Sequence, residues 1–223
     1  MKELLIDLNH QLLAACDDLK SEQMAAYMKN KFEFLGIQAP LRRSIAKPLL
    51  TATKPMSGEE IVSLIHELWL KPHREFQLIG IDVLQKNVSK LTPTDIAHVE
   101  HWILTKSWWD TVDFLASRGV GHLFKDPSTK NQYLDKWLNS ENIWLNRSCL
   151  LFQLFYRGKT DFELLKQIIL HLNHKKEFFI QKAIGWSLRQ YSKTNATNVI
   201  QFVEENNLKG LAQREALKWV NSH

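Results

Sequence analysis

Only two of the 223 residues are cysteine, Cys16 and Cys149, 133 positions apart and outside any CxxC pair. That spacing argues against a disulfide framework or a cysteine zinc site, and both are expected to be small buried hydrophobes. Turn formers are equally scarce. Eight glycines and six prolines are too few for a sandwich or barrel with a turn every ten or so residues. The longest apolar run, Leu12 to Cys16, is five residues, far short of the roughly 20 that cross a bilayer. Asp7, Asp17 and Asp18 interrupt the N-terminal apolar positions, so no signal-peptide core forms and a cytoplasmic location is expected.

Common catalytic signatures are missing too. The chain has no GxSxG, no HExxH and no P-loop, and Gly119/Gly121 lacks the third glycine and the preceding strand of a dinucleotide loop. The spaced pairs His98/His101 and His171/His174 have no carboxylate or cysteine completing a ligand set, and are expected on the surface. No cofactor and no metal are expected. A two-metal nuclease is disfavoured for want of a carboxylate cluster.

What is present is helix. Hydrophobic residues make up 44% and charged residues 24%, ordinary values for a globular chain. Ser and Asp caps and apolar spacing near 3.6 recur throughout, with no alternating strand pattern. From residue 57 the helices pair. First members start near Ser57, Pro93, Pro127, Asp161 and Thr194, at separations of 36, 34, 34 and 33; second members start near Arg74, Ser107, Asn142, Glu177 and Leu211, at 33, 35, 35 and 34. A period of about 34 predicts an all-α solenoid. The tryptophan and glycine positions of tetratricopeptide repeats do not recur, so the units are HEAT-like. The expected organisation is a single domain over 1–223, with capping helices at 1–56 and five helix pairs at 57–223, monomeric by default.

The net charge of +5 is compatible with a polyanion partner. More telling are the eight tryptophans, several beside charged residues. On a helical wheel the helix from Glu177 gathers Ile180, Ile184, Leu188 and Tyr191 in one apolar stripe, with Lys182, Trp186, Arg189 and Lys193 opposite. Trp186 either packs against an adjoining repeat or, flanked by three cations, forms a surface for a nucleic acid strand. On the helix from Ser107, Lys106, Trp109 and Asp113 share a face while Trp108 turns to the core. Asp113 there is either a buried structural aspartate or a functional one. Arg147 falls among Leu151, Leu154 and Trp144, away from a polar face of Asn146, Gln153 and Arg157, and is expected to seek an anion, either Asp113 or a phosphate. Arg157 and Lys159 join Lys182, Arg189 and Lys193 as candidate phosphate contacts.

The segments KSWWDTVD (106–113), NIWLNRS (142–148) and EFFIQKAIGWSLRQYSKTN (177–195), with YMKNKFEFLGIQAPLRR (27–43) and REFQ (74–77), resemble the bacterial alkylpurine DNA glycosylases of the HEAT-like repeat type, the AlkD family. The resemblance spans nearly the whole chain. It implies a concave basic surface that binds alkylated double-stranded DNA at the nucleoid, and hydrolysis of the N-glycosidic bond of N3- and N7-alkylated purines such as 3-methyladenine and 7-methylguanine. It further implies that Trp109, Asp113 and Trp186 are catalytic-cleft residues, that Arg147 is the cleft arginine, and that Tyr27 lies near the lesion. The residue chemistry agrees: most glycosidases need two carboxylates, but an alkylated purine is already cationic and leaves as a neutral base, so one carboxylate suffices. The competing expectation is a non-catalytic HEAT-like scaffold that binds DNA or protein.

Overall fold

The computed structural model describes residues 2–222, and no strand occurs among them. The chain packs as two compact units, Met1–Thr92 and Pro93–His223. The first holds α1 (Lys2–Ala14), α2 (Asp18–Tyr27), α3 (Ala39–Ala52), α4 (Gly58–Leu70) and α5 (Arg74–Asn87). The second holds α6 (Ile96–Leu104), α7 (Trp109–Phe114), α8 (Gly121–Leu123), α9 (Pro127–Leu138), α10 (Ile143–Leu151), α11 (Phe162–Leu172), α12 (Phe178–Ser192), α13 (Ala196–Glu205) and α14 (Gly210–Leu217). This is the all-α helical-repeat fold that the 34-residue period demands.

The helix starts follow from local chemistry. Ser57 and Glu60 form a reciprocal capping box at α4, and Asp126, Asn142, Asp161 and Asn195 each accept an early backbone N–H of the helix that follows. Inside the pairs one device recurs. A side-chain amide on the second helix, buried in two pairs and half-buried in the third, caps the last carbonyls of the first, groups that would otherwise stay unsatisfied. Gln77 Nε2 donates to the carbonyls of Leu68, Trp69 and Lys71; Asn146 Nδ2 donates to those of Trp137, Leu138 and Ser140; Gln181 Nε2 donates to those of Asn173 and Lys175. These residues stand 69 and 35 positions apart, two repeats and one.

Those amides correct one expectation. Asn146 and Gln153 do not lie on a solvated polar face; both are buried, and Gln153 exchanges two hydrogen bonds with the backbone of Asp161. Wheel angles on an isolated helix mark polarity, whereas carbonyls at the end of the neighbouring helix make a buried amide worthwhile. Cys16 is a second correction. It is exposed, its Sγ near the Leu12 carbonyl, while Cys149 is buried as expected, its thiol pushed far up by burial.

In the first unit, Glu75 is fully buried on α5 and accepts the backbone N–H groups of Leu35 and Ile37, tying the loop between α2 and α3 to α5. Gly36 in that loop has φ +82°, and a Cβ there would stand 2.0 Å from the Asp17 carbonyl oxygen, so no other residue fits.

In the second unit α10 is central, packed against α6, α7, α9, α11 and α12. α7 passes without a break through a π-helical stretch, Leu115–Val120, into α8. Gly121 is what lets this segment approach α10, since a Cβ would meet the Phe152 carbonyl oxygen at 2.5 Å. Gly121 therefore serves helix packing. All four histidines of the spaced pairs are exposed.

Candidate active site

α7 begins two residues later than the sequence pattern suggests. Trp108 is its extended N-cap residue and Lys106 lies before the helix with φ +50°. Lys106 is thus not on the helical face of Trp109 and Asp113, which remain one turn apart and neighbours on α7.

Asp113 and Arg147 meet. Arg147 Nε donates to Asp113 Oδ1 at 2.7 Å and Nη2 to Oδ2 at 2.8 Å, a two-pronged pair joining α7 to α10. The aspartate side chain is 15% exposed and the arginine 4%. The alternatives left open for Arg147 therefore resolve toward the carboxylate. Its third prong, Nη1, donates to the Phe179 carbonyl at 2.5 Å in the first turn of α12. One guanidinium fastens three helices, and each carboxylate oxygen keeps a lone pair for another partner.

Burial pushes the Asp113 carboxyl above the ordinary carboxylate range; Arg147 pulls it back and the nearby Asp110 pushes it further up. Next to the pair stands a closed group of three rings. Trp108 lies 5.6 Å from Trp144 and 5.1 Å from Phe179, and Trp144 lies 5.0 Å from Phe179, spacings of favourable aromatic packing. Trp108 does face inward, as expected, but it packs on this aromatic wall. Nothing in the sequence singled out Phe179, whose contribution is partly a backbone carbonyl; the FF pair of EFFIQK is the one available signal.

Trp109 and Trp186 are both half-buried. Trp186 lies seven residues after Phe179 on α12, the same stripe of the helix about 10 Å further along its axis. Flanking it, Lys182 Nζ and Arg189 Nη1 bond the two oxygens of one carboxylate, Glu215 on α14, at 2.6 and 2.7 Å. Glu215 is held below the ordinary glutamate range, chiefly by its hydrogen bond to Lys182. Two of the five candidate phosphate contacts named for this unit are thus engaged within the protein. Lys193 is exposed and donates to Gln190 Oε1. Arg157 and Lys159 are exposed on a short 3-10 turn, Arg157 with φ +55°. Tyr27 ends α2 in the first unit and is 71% exposed.

Among the described residues no group of three or more His, Cys, Asp or Glu side chains is placed to hold a metal ion, and no helix is long and apolar enough to cross a membrane.

No curated protein matches this chain. Among solved structures, a protein described as a predicted DNA alkylation repair enzyme from Enterococcus faecalis is 35% identical, with a TM-score of 0.84 over 93% of this chain and 98% of that one. The family model described as DNA alkylation repair enzyme matches residues 8–220. With nearly the whole length matched in sequence and in fold, the chain belongs to the DNA alkylation repair enzyme family.

Proposed function

We propose that this protein is a DNA glycosylase that hydrolyses the N-glycosidic bond of cationic N3- and N7-alkylated purines in duplex DNA, with Asp113 as the catalytic carboxylate and Trp109 and Trp186 contacting the lesion nucleotide. The observation that carries the reading is the setting of Asp113: one carboxylate, partly accessible, bound through both oxygens by Arg147 beside an aromatic wall.

The chemistry needs little else. As the bond breaks, positive charge moves from the base to the sugar. A carboxylate about 4 Å from that charge gains about 4 kcal/mol at an effective dielectric near 20. Arg147, on the far side of the carboxylate and so about 7 Å from the sugar, takes back about 2 kcal/mol by the same law. The remainder, about 2 kcal/mol, is roughly thirtyfold in rate. The arginine thus reduces the field of Asp113 while opposing the rise that burial imposes on its carboxyl, and without ionisation there is no field. Water directed by a free carboxylate lone pair completes the hydrolysis. Tyr27, Arg157, Lys159 and Lys193 are the expected DNA contacts, with Lys182 and Arg189 contributing to the extent that they leave Glu215. The protein acts as a monomer.

The test is release of 7-methylguanine from methylated duplex by wild type and by Asp113→Asn side by side. The variant is expected to bind the duplex and to lose between about thirtyfold and a thousandfold in release rate, the range between the screened and unscreened carboxylate. Full activity in the variant removes Asp113 from the mechanism; no release by wild type from any alkylated substrate leaves a scaffold.

A further inference from the structure

The basic residues that flank Trp186 on α12 are neutralised by Glu215, which raises the question of where this unit offers uncompensated positive charge. The described side chains give a local answer around the π-helical stretch. Arg118 projects from that stretch and lays its guanidinium over the Phe155 ring, 3.7 Å from Cζ to the ring centroid. Unlike Arg42, Arg147 and Arg189, which meet Asp82, Asp113 and Glu215, Arg118 makes no hydrogen bond or ion pair with any described residue, and its Nε is buried without an acceptor. Phe155 is 42% exposed, so the platform is open to solvent.

The segment that carries Phe155 is held in place. Tyr156 donates its hydroxyl to the Gly121 carbonyl at 2.6 Å, which docks residues 155–157 onto the end of the same π-helical run. Directly after it come Arg157 and Lys159, both exposed and also without a carboxylate partner among the described residues. A Cβ at Gly158 between them would meet nothing within 4 Å, so the backbone there is bare. Three cations, one held over an aromatic ring, therefore share one brace, and no carboxylate among the described residues neutralises any of them.

We propose that Arg118, preorganised on Phe155, is a backbone phosphate contact for the DNA duplex, forming with Arg157 and Lys159 the principal anion-binding surface of this unit. The proposal deepens the glycosylase reading and rests on its duplex substrate. A stacked guanidinium is already ordered and presents its edge, so it forms paired N–H contacts to a phosphate with less loss of freedom than a lysine. The contact carries no sequence information and serves undamaged and damaged duplex alike.

The experiment measures binding of an unmodified duplex by fluorescence anisotropy over a salt series, for wild type, Arg118→Gln and Phe155→Ala, each checked for folding by thermal melt. Arg118→Gln is expected to lower the slope of log K against log salt by about 0.9, one phosphate contact, and to weaken binding several-fold. Phe155→Ala is expected to weaken binding with the slope unchanged, because the charge remains and only its preorganisation goes. A folded Arg118→Gln with the wild-type slope and affinity overturns the proposal. If that variant does not fold, unchanged affinity in Phe155→Ala overturns it instead. Wild type that shows no salt-dependent duplex binding removes both readings. Base release from saturating methylated duplex separates the two: release with no Arg118 effect sinks the contact alone, and an Arg118 effect without release sinks the chemistry alone.

Discussion

Two carboxylates of the second unit are each bound on both oxygens by basic side chains one repeat away, and they end in opposite electrostatic states. Asp113 takes one arginine through two prongs, and burial outweighs it, so its carboxyl sits above the ordinary range. Glu215 takes a lysine and an arginine, one per oxygen, and attraction outweighs burial, so its carboxyl sits below. The signs of their linkage to folding differ accordingly. Stability associated with Asp113 is fully present below the ordinary aspartate value and is lost as pH rises through its raised one. That associated with Glu215 is present above the ordinary glutamate value and is lost as pH falls through its lowered one. Glu215 is the arrangement of a structural clamp. Asp113 pairs with its cation in a desolvated setting that opposes its charge, the combination of burial and a specific charge partner that marks candidate functional groups.

Removing Arg147 is expected to break that contrast most sharply. Arg147→Ala leaves a half-buried carboxylate without its cation, a change that typically destabilises by about 3–5 kcal/mol, and the Asp113 carboxyl should climb further. Release of methylated base at neutral pH should fall by more than tenfold and recover in part as pH is raised, with the acid limb of the pH–rate profile displaced upward. Arg147→Lys, which keeps the charge but loses the paired geometry, should fall between. A profile that drops in height without moving along the pH axis would mean that Arg147 serves packing alone. In wild type that limb should already lie above the ordinary aspartate value of about 3.9.

The tryptophans come next. Faces of Trp109 and Trp186 against a cationic nucleotide are worth about 0.5 to 2 kcal/mol each, so Trp109→Ala and Trp186→Ala should each lose roughly two- to thirtyfold in kcat/KM. The loss should be smaller on an uncharged substrate analogue. Equal losses on both would assign the rings to shape and not to charge.

Much of this was legible in the sequence because local chemistry set it. Ser57, Asn142 and Asp161 cap helices where side-chain acceptors are expected to, so the repeat period could be read directly. The Asp113–Arg147 pair was reachable because Arg147 falls on an apolar wheel angle 34 positions from an acid. The Lys182/Arg189 clamp is hidden from a wheel, although the same repeat spacing underlies it: Glu215 lies 33 positions from Lys182. Both cations sit opposite the apolar stripe of α12, where a wheel assigns solvent, and only α14 reveals the carboxylate. Asn146 misled for the same reason. Arg118 escaped because a π-helical stretch shifts the angular frame on which wheel positions depend.

The smallest effect sharpens the comparison from the other side. Glu215→Gln frees Lys182 and Arg189, the two cations next to Trp186, at the loss of a clamp between α12 and α14. If, as the proposed reading has it, phosphates compete with Glu215 for those cations, the variant should bind unmodified duplex more tightly at low salt. Its slope of log K against log salt should steepen by about 0.9 to 1.8, one or two further phosphate contacts. Asp113→Asn, which also frees a cation, should produce no such steepening, because Arg147 is nearly buried and still holds the Phe179 carbonyl. If Glu215→Gln leaves the slope where it was, Lys182 and Arg189 face away from the duplex, and the electrostatic share of binding in this unit falls to Arg118, Lys193 and the turn at residues 157–159.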